Sequence, residues 1–314
     1  MGLIALACHR GPNGPEPVVV LDGRLYPLAA LGKAAKQEVP PEWIDQGIPA
    51  MLRDWERTAA WLEPLARGGA DLVGSASLAA VGEGTSTLMA PYRAGRIFCA
   101  ASNYVEHANE MGTVLAAKSA SKPYMFLKLS NTVIGPNETI LMPPETRELD
   151  WEVELAAVIG RRCRRISVDR ALDVVAGYSI VNDISARDLN VRSDYPFKFD
   201  WFQGKCHDTF APFGPWIVPA SQISDPQKVQ LRLDVNGVPM QEDSTANMIW
   251  TVREQIAYLS TIVTLEPGDV IATGTPTGVG KGRGIFLKDG DRVRATVAGI
   301  GSLDNEVRAE SLAA

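Results

Sequence analysis

Histidine is scarce: His9, His107 and His207 are the only three in 314 residues. The four cysteines, Cys8, Cys99, Cys163 and Cys206, are scattered with no C-x-x-C pair. That spacing excludes a zinc ribbon and leads us to expect reduced thiols in a cytoplasmic protein. A zinc site built on His and Cys is therefore poorly supplied, whereas a hard cation held by oxygen ligands is not. Long apolar runs are missing too. No window of about 18 uncharged apolar residues occurs, so no membrane span is expected. The opening "MGLIALACHRG" has a short apolar run without a basic region before it, unlike a signal peptide. There is no basic excess either. A net charge of −6 argues against nucleic acid as a partner.

What is present fits a globular protein of one large or two modest domains, with 46% hydrophobic and 22% charged residues. "PVVVLDGRLYPL" (17–28) reads as a hairpin with an Asp-Gly turn. Apolar residues at Met51, Trp55, Ala59, Leu62 and Ala66 predict a helix that stops at Gly68-Gly69. We expect a small N-terminal α/β domain over 1–80 and a Gly/Ser/Thr-rich linker over 81–95. Residues 96–314 would be the main domain. It is strand-dominated, with strands expected at 96–101, 151–159, 177–182 and 229–235, a helix at 251–264 and a terminal hairpin. A short helix capped by Asn103 is expected to run to Met111, followed by a loop over 112–123. The regular βαβ rhythm of a doubly wound sheet is lacking, so the class is α+β and β-rich.

The chemistry begins with "ELDWEVEL" (148–155), where Asp150, Glu152 and Glu154 occupy alternate positions of a strand-like stretch. Alternation puts them on one face, with Leu149, Trp151, Val153 and Leu155 on the other. Either that face is solvated, or something positive lies against it. Asp183 ends the apolar strand of "GYSIVNDISARDL" and could join Glu152 and Glu154 in an oxygen-only trio. Three anions that close need a cation, and Mg²⁺ or Mn²⁺ suits such ligands.

In "NYVEHANEMG", His107 and Glu110 stand at i and i+3, so a carboxylate can orient an imidazole as a general base for water. In "WFQGKCHDTFAPFGPWIV", Lys205 is a candidate to stabilise an enolate or carboxylate, although a solvated lysine is the default. "GTPTGVGKG" (274–282) resembles a phosphate loop, but its spacing is one residue too long and Gly282 replaces the Ser/Thr.

Together "RELDWEVELAAVIGRRCR", "GYSIVNDISARDLN", "GKCHDTFAPFGPWIV" and "IVTLEPGDVIATGTPTGVG" resemble the fumarylacetoacetate hydrolase (FAH) superfamily, from about Arg96 onward. The resemblance implies a mixed β-sandwich roll, a homodimer, and a Mg²⁺ or Mn²⁺ site in which Ca²⁺ is a possible non-native occupant. It implies Glu152, Glu154 and Asp183 as metal ligands, with Asp150 not touching the metal. It makes His107 and Glu110 the water-activating pair and Lys205 the active-site lysine. Arg187, Thr275 and Lys128 would bind substrate. Asn190, which stands where fumarylacetoacetase has a glutamine, would join them.

The implied activity is hydrolysis of the C3–C4 bond of an acylpyruvate, a 2,4-dioxo acid, to pyruvate and a carboxylic acid. It would proceed through His-Glu-activated water and a metal-stabilised pyruvate enolate. A metal-dependent decarboxylase or isomerase of 2-oxo acids is the alternative. A non-catalytic module holding structural Ca²⁺ would leave His107, Glu110 and Lys205 without a role.

Overall fold

The computed structural model describes residues 2–12, 14–75 and 78–311. Its chain follows the β-rich expectation. One mixed sheet runs from Gly82–Glu83 at one edge, through strands Arg24–Pro27, Gly14–Leu21 and Ile4–Gly11, into Ala211–Pro219, Val175–Asn182, Val153–Ile159, Val270–Ala272 and Ile97–Ala101, to Tyr124–Lys128 at the other. A five-stranded sheet, built from Gln230–Val235, Val238–Ser244, Arg292–Val297, Gly301–Ala309 and Thr139–Met142, packs against its centre. Among the described residues no helix is long and apolar enough to cross a membrane.

The local rules act where expected. The hairpin turns at Asp22-Gly23, both at positive φ (48° and 83°), as a two-residue turn matched to strand twist requires. Asn236-Gly237 does the same between Val235 and Val238. The helix Val252–Ile262 starts with a full capping box, Thr251 with Glu254.

Three expectations are corrected. The helix predicted to stop at Gly68-Gly69 is two helices, Ile48–Arg53 and Trp55–Ser75, the second passing Gly68 with a non-helical kink. The glycine lowers propensity there, but Leu62 and Leu65 are already buried and carry the helix along. The expected linker adds Gly82–Glu83 and Leu88–Met89 to the large sheet. Asn103 does not cap the short helix, Val105–Glu110, which has no side-chain cap. Its amide instead donates to the carbonyls of Trp250 and Thr273 and accepts from the Trp250 N–H, tying three segments together.

The N-terminal strands share the large sheet, with Leu6 paired opposite Ile217. One apolar cluster joins Ile4, Leu6, Leu28, Trp43 and Leu62 to Ala156, Val158, Phe213 and Ile217. The strand Val153–Ile159 lies between two cores: Val153, Leu155, Ala157 and Ile159 face one, Ala156 and Val158 the other. That is why its sequence is apolar at both parities. Its N-terminal end, where the carboxylates sit, is the floor of the candidate site.

Candidate metal centre and catalytic site

The stretch 148–155 is not a solvated face: Asp150, Glu152 and Glu154 are each at most 5% exposed. It is also not one continuous strand. Leu149–Asp150 pairs with Ser185–Ala186, and the ladder resumes at Val153. Register brings the second segment in. Glu154 lies opposite Val181, Val153 opposite Asn182, and the Asp183 N–H donates to the Glu152 carbonyl at 2.9 Å. Asn182 Oδ1 accepts from the Glu152 N–H at 2.9 Å. Antiparallel pairing thus converts residues about thirty apart into neighbours. One carboxylate oxygen from each of Glu152, Glu154 and Asp183 falls within 4.8 Å of the others.

The positive partners are equally buried. Lys205 Nζ donates to Glu152 Oε2 and Asp183 Oδ2, both at 2.8 Å. Lys128 Nζ binds Asp183 Oδ1 and donates to the Ile184 carbonyl at 2.8 Å. Arg187 Nη2 lies 2.5 Å from Glu152 Oε1, and its Nε donates to Asp150 Oδ2 at 2.7 Å. Lys205 reaches the cluster from the end of helix Trp201–Lys205, where Gly204 leaves room for the Asn190 side chain: a Cβ there would lie 1.7 Å from Asn190 Oδ1.

A divalent cation fits this donor set on charge grounds. Four buried carboxylates (Asp150, Glu152, Glu154, Asp183) face three cationic side chains (Lys128, Lys205, Arg187). Burial works against ionised Glu152, yet Arg187 and then Lys205 outweigh it and hold its carboxyl well below the usual range. Among the described residues Glu154 has no cationic hydrogen-bond partner and accepts only the Gly274 N–H, at 2.7 Å. Burial first, then repulsion from Asp183 and Glu152, pushes its carboxyl well above the usual range. A cation among the three oxygens would remove that strain. Lys205 remains an ammonium: burial lowers its pKa, but Asp183 and Glu152 drive it up to about 12.

Over this cluster sits the short helix Val105–Glu110. His107 is 5% exposed, close enough to help keep Glu152 ionised. Its Nδ1 lies 3.6 Å from Glu110 Oε2 and has no hydrogen-bond partner. Glu110 is fixed from the other side by the Gly278 N–H, at 3.0 and 3.1 Å to its two oxygens. Burial raises the Glu110 carboxyl, but His107 and the Gly278 and Thr277 donors overcome that and lower it.

The four expected substrate-binding residues gather here with their polar atoms differently committed. Lys128 is fully buried behind Asp183. Arg187 is paired to Asp150 and Glu152. The Thr275 hydroxyl donates to the Val153 carbonyl at 3.0 Å and accepts from Gln241 Nε2 at 2.8 Å. Asn190 Oδ1 is buried without a partner.

Sequence reasoning missed Gln241, whose Oε1 takes the Val153 N–H while its amide holds Thr275 and Pro276. A single glutamine in a strand carries no sequence signal. It also underrated Asp150, which accepts from Trp151, Gly280 and Lys281 N–H groups and from Arg187.

Comparisons with known proteins give the family of the chain. The family model for the fumarylacetoacetate (FAA) hydrolase C-terminal domain matches residues 96–308. A fumarylacetoacetate hydrolase domain-containing protein 2 homologue from Dictyostelium discoideum is 40% identical over 232 residues, 70% of this chain and 74% of that protein. The solved maleylpyruvate hydrolase from Sphingobium sp. SYK-6, in complex with manganese(II) and pyruvate, superposes with a TM-score of 0.72 at 28% identity, covering 99% of this chain and 100% of that one. A 5-carboxymethyl-2-hydroxymuconate delta-isomerase from Mycobacterium smegmatis gives a TM-score of 0.67 at 31% identity, over 98% of this chain and 100% of that one. With its buried acidic trio, its strand-rich α+β fold and this match over most of its length, the chain belongs to the fumarylacetoacetate hydrolase family.

Proposed function

We propose that the protein hydrolyses the C3–C4 bond of an acylpyruvate, giving pyruvate and a carboxylic acid, with Mg²⁺ or Mn²⁺ held by Glu152, Glu154 and Asp183. The observation that supports this reading is the pair of buried His107 and partly buried Glu110 beside the carboxylate trio, an imidazole and a carboxylate suited to a general base for water. When bound, the divalent ion would supply Lewis-acid charge to the oxygens of the 2-oxo acid.

The side chains do the rest. His107 takes a proton from water, and Glu110, itself held by Gly278, orients the imidazole and offsets its new charge. The hydroxide adds to the C4 carbonyl. The C3–C4 pair of electrons then leaves with the three-carbon fragment, an enolate that regains a proton at C3. Lys205 and Arg187 supply positive charge beside this developing anion. The helix Val105–Glu110, with His107 and Ala108 turned inward, keeps bulk water out.

The fold similarity to an isomerase supports a second reading, in which His107 moves a proton between carbons and no water is consumed. One experiment separates the two. The protein with Mn²⁺ is mixed in parallel with an acylpyruvate and with oxaloacetate, and pyruvate, the acid fragment and CO₂ are quantified. Pyruvate and carboxylic acid in equal amounts without CO₂ is the expected result. An altered ultraviolet spectrum with no fragments would replace hydrolysis by isomerisation, and CO₂ release from oxaloacetate alone would make the protein a decarboxylase.

A further inference from the structure

We propose that Lys205 is the built-in counter-ion of the carboxylate trio and surrenders its bonds there when a divalent cation enters, whereas Lys128 stays and positions Asp183. The proposal rests on the reading that the trio holds such a cation. The two lysines are not equivalent. Lys205 Nζ bridges Glu152 Oε2 and Asp183 Oδ2, so two of the three acids give it an oxygen. An ammonium and a metal ion compete for those lone pairs and repel each other at that range.

Lys128 binds only Asp183 within the trio, and its second bond goes to the Ile184 carbonyl, which lies outside the carboxylate trio. Both lysines are buried, Lys128 at 0% and Lys205 at 2% exposure, so it is this carbonyl bond outside the trio that keeps Lys128 in place. Each ammonium lies near an aromatic ring, Lys205 5.3 Å from the Phe126 centroid and Lys128 5.9 Å from that of Phe210. Lys205 thus keeps a favourable contact after release, while the difference between the two lysines lies in their oxygen partners.

Two consequences follow for the protein itself. Without metal, Lys205 offsets two of three buried anions that would otherwise repel one another, so the site keeps its shape. With metal, the same ammonium becomes free for the substrate. The exchange lowers apparent metal affinity, because only the fraction of molecules with Lys205 released can bind.

Isothermal titration of the full chain with Mn²⁺, without substrate, measures this. Lys205→Met is expected to tighten the Mn²⁺ Kd by about ten-fold or more, as follows if the bridged form is roughly nine-tenths populated or higher. Lys128→Met removes an equal charge from the same carboxylate and is expected to give no tightening. A purely Coulombic effect would tighten both variants alike and would overturn the exchange. So would a Lys205→Met Kd equal to or weaker than wild type. If the wild-type chain takes up no Mn²⁺ at all, the proposed metal site itself fails, a result distinct from either.

Should Lys205→Met not fold, a crystal structure of the wild-type protein loaded with Mg²⁺ decides. Lys205 released from Glu152, Asp183 or both, with Lys128 still on Asp183, supports the exchange. Lys205 still bridging both carboxylates overturns it.

Discussion

Asp150 offers a sharp test of how this site is held, because its carboxylate is fully buried and every bond it accepts is known. Oδ1 takes the N–H groups of Gly280 at 2.6 Å and Trp151 at 2.8 Å. Oδ2 takes Lys281 N–H at 2.9 Å and Arg187 Nε at 2.7 Å. In Asp150→Asn, the amide oxygen can keep the first two, but the NH₂ then faces two donors. Two hydrogen bonds to a charged acceptor are lost at about 1.5–3 kcal/mol each, so about 3–6 kcal/mol is at stake. Removing one partner of a buried ion pair independently suggests about 3–5 kcal/mol. Against a typical total of about 5–15 kcal/mol, the variant should fold but be clearly weakened. Urea denaturation followed by tryptophan fluorescence reads the difference. A loss under about 1 kcal/mol, with an unchanged slope, would show that the Gly280-Lys281 segment does not depend on this anion.

Three further outcomes are expected. His107→Ala should bind Mn²⁺ as wild type while losing hydrolysis by about a hundred-fold or more, the usual worth of a general base, and wild-type turnover would remove His107 from that role. Glu110 has a carboxyl lowered in the folded protein, so its stabilisation is present above the unfolded value of about 4.3 and fades as pH falls through the folded one. The stability gap between wild type and Glu110→Gln should therefore be constant near neutrality and close in acid; melting temperatures from pH 3 to 7 that run parallel would contradict the pairing. Gly278→Ala places a Cβ 2.1 Å from the Met240 carbonyl oxygen at φ +101°, costing about 1–2 kcal/mol in backbone strain alone and displacing the N–H that holds Glu110. Its turnover should fall more than its metal affinity, and a reversed order would show that this loop serves the metal instead.

Much of this architecture is written in short-range signals. Asp22-Gly23 and Asn236-Gly237 fix two hairpins because their backbone needs positive φ at both turn positions. Thr251 and Glu254 mark a helix start through a reciprocal pair of hydrogen bonds. What could not be read is whatever depends on contacts far along the chain. The alternating carboxylates of 148–155 look the same whether water or lysine faces them. Only the pairing of Val153–Ile159 with Val175–Asn182, and the arrival of Lys205 and Lys128 from other elements, decides that they are buried. Asn103 failed as a cap for the same reason: its amide found backbone partners at Trp250 and Thr273, some 150 residues away in sequence or more.

The segment 274–282, dismissed as a phosphate loop on its spacing, shows what such glycine-rich backbone does when no phosphate is involved. Its N–H groups still converge on anions, but the anions are the protein's own: Gly274 on Glu154, Gly278 on Glu110, Gly280 and Lys281 on Asp150. Glycine is needed at two of these positions, where any Cβ would strike the Met240 or Ile285 carbonyl at 2.1 Å. One loop therefore grips a candidate metal ligand, the partner of the general base, and the anion that anchors Arg187. A change in the loop's path would move all three together, which ties acidity, base position and substrate charge to a single stretch of backbone.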